Sequence, residues 1–150
     1  MLSDKKYILG IDSTKPEMHI KLFEFLGNVP QHEVSRSSTM SPKHKHDKMI
    51  NPLIDEVMGE AGIDYKDINA IAINAGPGGF TGPRVGVAVV RAFALVYNFK
   101  IIRVDELNAA DVIAKYIAGE FMPANELVPI YDGRYEVSIK TADGIKTFEY

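Results

Sequence analysis

Three short stretches of this 150-residue chain carry the residue types that phosphate or metal chemistry uses. At Asp12-Ser13-Thr14 a carboxylate and two hydroxyls stand at the end of an apolar run. In a nucleotide-binding sheet such a group can hold a hydrated magnesium ion and bond phosphate oxygens; elsewhere the same residues simply form a turn. Gly76-Pro77-Gly78-Gly79-Phe80-Thr81-Gly82 separates a short apolar run from a long one. Glycines between a strand and a helix start let backbone N–H groups turn towards an anion, and the helix dipole favours phosphate there. No lysine follows the last glycine, so the stretch is not a P-loop, and a tight turn without a ligand stays open beside anion binding. Asp132-Gly133-Arg134 is a candidate for a second, matching phosphate loop. The candidate nucleotide-binding residues are therefore Asp12, Ser13, Gly76, Gly78, Gly79, Thr81 and Asp132.

The histidines do not form a metal site. His44 and His46 are close, but two ligands on one helical face need a spacing of i and i+4, and that position is Ile50. His19 and His32 are isolated in runs that read as strands. Cysteine is absent, which excludes thiolate zinc sites, a cysteine nucleophile and a disulfide framework. Lys43, Lys45 and Lys48 give the stretch around them a local basic character, the usual mark of a solvated face.

The elements that must position these residues follow from apolar periodicity. Lys6 to Ile11 and Met18 to Phe25 read as two strands joined by a turn around Lys15 and Pro16, and a third, short strand is expected near His32 to Arg36. Ser37 to Lys45 is polar and reads as a surface loop. Met49, Ile50, Leu53, Ile54, Val57, Met58 and Ala61 recur at helical spacing from Asp47 to Ala61, with Gly62 as a left-handed stop. These seven cover roughly 180° of arc, wider than the roughly 100° stripe that one core contact requires, so part of that face is expected to meet something else.

Ala70 to Ala75 reads as a buried strand, and Pro83 to Tyr97 as a helix whose only charged residues are Arg84 and Arg91. A helix apolar nearly all round is expected to be buried nearly all round, with a partner helix covering the side that the sheet cannot reach. Ile101 to Val104 predicts a strand and Leu107 to Ile117 a helix. Val128 to Asp132 reads as a strand, followed by a hairpin of Tyr135 to Thr141 and Ile145 to Tyr150 turning at Asp143-Gly144. That pattern repeats the opening, with Asp132 standing 120 residues after Asp12. Residues 1–120 thus read as one complete lobe and 121–150 as the start of a second, whose strands need cover for their edges.

Composition is that of a globular domain: 46% hydrophobic and 25% charged, with length at the prior for a single domain. Seventeen Lys and Arg against twenty Asp and Glu give a net charge of -3, so the broad basic footprint of a nucleic-acid binder is missing. The longest apolar stretch, Val85 to Tyr97, is interrupted by Arg91 and falls short of a membrane span. A soluble, cytoplasmic protein is expected.

With these residues in view, the sequence resembles the TsaB family, the non-catalytic subunits of bacterial tRNA threonylcarbamoyladenosine synthesis. Gly76 to Gly86, GPGGFTGPRVG, is close to the family's GPGSFTGLR-type signature, and Ile8 to Thr14, His46 before Pro52, and Ile130 to Val137 match in order. Departures are Asp12-Ser13-Thr14 for Asp-Thr-Ser, Gly79 for serine, Pro83 for leucine, and Asp132-Gly133-Arg134 for Asp-Ala-Arg. The resemblance implies an α/β fold, a ribonuclease-H-like mixed sheet with flanking helices of the actin/Hsp70/sugar-kinase-like superfamily, its second lobe incomplete here. It implies an accessory role rather than an enzyme: a scaffold and activator of the catalytic paralogue TsaD, which carries the metal-binding histidines and transfers the threonylcarbamoyl group to adenosine of tRNA. TsaE would be a further complex member, tRNA contact indirect, and homodimerisation through the same helices is an open alternative. The pairing surface is then expected at Met49, Leu53, Val57, Val85, Val89, Phe93 and Val96. No cofactor is expected of such a subunit. The competing reading is a small nucleotide-dependent phosphotransferase, using Asp12, Gly78 and Asp132 with ATP or ADP and magnesium.

Overall fold

The computed structural model describes residues 4–78, 82–131, 136–141 and 144–149. Strands β1 (Lys5–Asp12), β2 (Glu17–Leu26), β3 (Val29–Thr39), β4 (Ala70–Asn74) and β5 (Lys100–Arg103) form one sheet in the order β3-β2-β1-β4-β5. β1, β2 and β3 are an antiparallel meander, while β4 and β5 join parallel to β1 through helical crossovers. The helices are α1 (His46–Ala61), α2 (Gly82–Tyr97) and α3 (Ala109–Ile117). β6 (Glu136–Thr141) and β7 (Gly144–Glu149) pair with each other in a separate two-stranded sheet.

Side-chain alternation along the strands assigns the two faces. Leu9, Ile11, Ile20, Leu22, Ile71, Ile73 and Ile101 pack with α1 and α2, whereas Ile8, Phe23, Phe25, Ala70, Ala72 and Ile102 pack with Val112 and Ile113 of α3. β4 is buried at every position, as a parallel strand covered on both faces must be. Parallel pairing aligns Asp12 with Asn74, which sets the carboxylate and the amide side by side at the ends of their strands. On the outer side of β5, the Met122 N–H donates to the Ile101 carbonyl at 2.9 Å.

Several expectations change. β3 runs to Thr39 and takes in Ser37 and Ser38, because an edge strand with one solvated face needs few apolar residues; the loop is confined to residues 40–45. Residues 128–131 do not form a strand. Pro129 has no N–H to give to a ladder, and the segment is held by the Ile130 N–H to Ala75 carbonyl bond at 2.7 Å and by an isolated bridge from Tyr131 to Gly78. The expected turn at Asp143 lies outside the described residues.

The helices differ most. The wide apolar face of α1 is consumed by the chain itself: Ile50, Leu53, Ile54, Val57 and Met58 are all buried under the long β2–β3 hairpin and α2. α2 is the reverse, burying only Pro83, Gly86, Val87 and Val90. Gly62 ends α1 as the spacing predicts, at φ 68°, with its N–H bonded to the Met58 carbonyl.

Because Ile54 is fully buried, Ile54→Ala should lower unfolding free energy by about 2–5 kcal/mol. Urea denaturation followed by circular dichroism checks this; a change below about 1 kcal/mol would contradict the packing assigned to α1.

Candidate functional site

The chemistry-bearing residues singled out in the sequence converge where β1, β4 and the start of α2 meet. Asp12 is buried, and its carboxylate is already engaged by the protein. Oδ1 accepts from the Thr14 N–H at 2.9 Å and the Thr14 hydroxyl at 2.6 Å, and Oδ2 accepts from the Asn74 amide at 3.2 Å. Asn74 also donates to the Asp105 carbonyl at 3.0 Å and accepts from the Gly76 N–H at 3.0 Å. One amide thus ties together the ends of β1 and β4, the segment after β5 and the glycine-rich turn.

Ser13 is completely buried, and its hydroxyl sits inside the first turn of α2. It donates to the Gly82 carbonyl at 2.6 Å and accepts from the Gly86 N–H at 3.0 Å. Those two groups are four residues apart, the spacing of a helical N–H and C=O pair, so the hydroxyl bonds both members of one helical pair. A Cβ on Gly86 would come within 2.7 Å of the Ser13 oxygen and 3.0 Å of Ile73. One on Gly78 would come within 2.6 Å of the Thr14 carbonyl oxygen, and one on Gly82 would overlap the Ser13 carbonyl. Gly76, at φ 121°, lies against the Ile130 backbone with no space for a side chain.

Of the candidate nucleotide-binding residues, the fold brings Asp12, Ser13, Gly76 and Gly78 together; Gly79, Thr81 and Asp132 lie outside the described residues. The four occupy one another: each carboxylate and hydroxyl has an internal partner, and each glycine makes room for protein backbone. The residues missed in sequence are Asn74 and Gly86. Gly86 carried a readable signal, since small residues four apart at Gly82 and Gly86 make one flat patch on a helix. Among the described residues, no group of three or more His, Asp or Glu is placed to hold a metal ion.

His46 is the first residue of α1 and is 4% exposed. Its Nε2 lies 2.6 Å from the Lys15 carbonyl oxygen. A carbonyl only accepts, so Nε2 carries the proton. This bond ties the β1–β2 turn to α1 as Ser13 ties it to α2.

The second feature is the outer side of α2. At 3.6 residues per turn, Ala88, Ala92 and Leu95 point away from the buried Val87 and Val90, with Val85, Val89 and Val96 alongside. Leu95 is 86% exposed and Val96 72%, while Val85, Val89 and Phe93 are half-buried. Of the residues expected to pair, Leu53 and Val57 are buried in the core and Met49 is half-buried, while Leu95, not among them, is exposed. Beside this strip an aromatic row runs from Tyr65, stacked on Tyr97 with ring centroids 5.5 Å apart, to Phe99, 5.2 Å further. Burial, and then the hydrogen bond from its hydroxyl to Asp55, pushes the Tyr65 phenol up to about 12.

A family described as TsaD: tRNA N6-adenosine threonylcarbamoyltransferase matches residues 34–148. A tRNA N6-adenosine threonylcarbamoyltransferase of a Bradyrhizobium species is 47% identical over 64 residues, 43% of this chain and 18% of that protein. The tRNA threonylcarbamoyladenosine biosynthesis protein TsaB of Haemophilus influenzae is 33% identical over 89 residues, 59% of this chain and 36% of that protein. The chain therefore spans well under two thirds of these relatives. Among solved structures, YeaZ from Pseudomonas aeruginosa superposes with a TM-score of 0.58 at 21% identity, covering 97% of this chain and 59% of that one. The mixed sheet with flanking helices is thus the ribonuclease-H-like fold of the actin/Hsp70/sugar-kinase-like type that the sequence led us to expect.

Two expected outcomes test this geometry. Gly86→Ala should destabilise by about 1–3 kcal/mol through overpacking, and adding Ser13→Ala should recover part of that loss, because the clashing oxygen is gone. Strictly additive losses in a denaturation cycle would contradict the inserted hydroxyl. Secondly, Tyr65 should ionise near pH 12 in tyrosinate absorbance, a step absent from Tyr65→Phe. Its raised folded value makes its contribution to stability complete below about pH 10, the unfolded value, and lost as pH rises towards about 12.

Proposed function

The chain belongs to the TsaD family of tRNA N6-adenosine threonylcarbamoyltransferases, and from that premise we propose that it serves threonylcarbamoyl modification of tRNA as a non-catalytic scaffold and activator. In this reading residues 1–120 form one complete lobe and 121–150 begin a second. It pairs with the catalytic paralogue TsaD, with TsaE as a further complex member, and touches tRNA only through them.

One observation carries the accessory role: the outer strip of α2, where Leu95 and Val96 project into solvent beside Ala88 and Ala92. Small alanines let a second helix approach closely, and large exposed apolar neighbours gain from being covered. By contrast, the Asp12 carboxylate and the Ser13 hydroxyl are spent on internal bonds, which favours a holding role for this turn over a chemical one.

Leu95→Glu and Val96→Glu should weaken capture of the catalytic paralogue by about 100-fold, near 2.7 kcal/mol, with unchanged circular dichroism. Retained pairing by both folded variants would sink the proposal. A charge at Val57 is no test of pairing, since that side chain is fully buried and the variant would unfold. The 47% identity to a transferase favours a second reading, that the chain forms part of a catalyst. A modification assay on tRNA separates the two: an activator raises the paralogue's rate and gives none alone.

A further inference from the structure

The apolar strip on the outer side of α2 carries one cation that the chain itself does not use. Arg91 is exposed, and among the described residues it has no hydrogen bond, ion pair or ring contact. Its neighbours three and four positions away along the helix are Val87, Ala88, Ala94 and Leu95, all apolar. α2 has no carboxylate anywhere from Gly82 to Tyr97, so no acid on its own helix can answer the charge.

Position decides what becomes of this guanidinium when α2 is covered. At 3.6 residues per turn Arg91 stands about 40° around the helix from Leu95 and about 60° from Ala88. Leu95 is 86% exposed, and the exposed Ala88 and Ala92 have no bulk to hold a second helix away. A helix laid over these three runs along Arg91 and strips water from it. A desolvated guanidinium without a partner opposes the contact, whereas one that meets a carboxylate through two parallel N–H···O bonds gains direction as well as charge.

We propose that Arg91 sets partner choice at this surface: the chain that covers α2 presents a carboxylate to Arg91, and a facing helix without one is rejected. This rests on the pairing with the catalytic paralogue proposed above and names the chemistry that the paralogue must offer. A second copy of this chain, laid α2 against α2, has no acid to give from that helix. The residue therefore discriminates between partners as well as holding the right one. A cation that stayed in water at the margin of the contact would act differently, through the rate of encounter and with little effect on how long the complex lasts.

The test measures association and dissociation rates of the full chain with the catalytic paralogue, for wild type, Arg91→Met, Arg91→Lys and Leu95→Glu, each checked by circular dichroism. Arg91→Met keeps most of the apolar stem and should weaken pairing about 30-fold or more, mainly by faster dissociation, and the loss should persist at about 0.5 M salt. Arg91→Lys keeps the charge without the fork and should fall between the two. Arg91→Met within about threefold of wild type, or a loss confined to the association rate, would overturn the proposal. If Leu95→Glu weakens pairing while Arg91→Met does not, this inference alone fails. If wild type does not pair with the paralogue, the pairing reading fails and takes this one with it. Sedimentation of the chain alone supplies the last arm: a dimer of the wild type that Arg91→Met dissociates, with pairing to the paralogue unchanged, would place the carboxylate on a second copy and overturn the choice of partner.

Discussion

The Ser13 hydroxyl, held between the Gly82 carbonyl and the Gly86 N–H, is the contact on which the arrangement around the β1–β2 turn depends. A Cβ on Gly86 would collide with that hydroxyl and one on Gly82 with the Ser13 carbonyl, so the close approach of Ser13 accounts for glycine at both positions. It also fixes the entry point of α2, because the bonded hydroxyl leaves almost no freedom along the helix axis. Asn74 does the same for the strands, bridging Asp12 and the segment beyond β5. His46 completes the set by fastening the turn to α1. The two long helices and the central strands therefore meet through one turn of the chain.

These same bonds engage the described part of a motif that reads as a phosphate loop. Glycines can admit a ligand or admit another stretch of backbone, and the residue pattern is identical for both. Thr14 and Ile130 approach Gly78 and Gly76 closely enough to account for them without an anion.

Much of the fold was legible in the sequence because periodicity reports burial directly. Ile8 to Ile11, Ile71 to Ile73 and the seven apolar residues of α1 all lie where their spacing predicts. β3 was underread, since an edge strand presents polar residues to water along most of its length. Residues 128–131 were overread, since apolar character alone cannot show that Pro129 interrupts a ladder. Periodicity also gives the width of an apolar face without its partner. Sequence could not show that β2 and β3 extend far enough to bury Ile50, Leu53, Ile54, Val57 and Met58 of α1, leaving α2 as the helix with surplus. Of the site, the acidic turn and the glycines were legible, while Asn74 and Gly86 owe their roles to pairing across 62 and 73 residues.

The two margins of the sheet restrict how copies of this fold can grow together. On one side β5 is already bridged by Met122, and on the other β3 carries Pro30, which lacks a donor, among charged and hydroxylated neighbours. Neither margin is a good template for another strand. Accretion by strand addition, the common route from a folded domain to an insoluble one, is thereby discouraged at both ends, and a helix face can stay greasy enough to bind a partner without the whole molecule becoming adhesive.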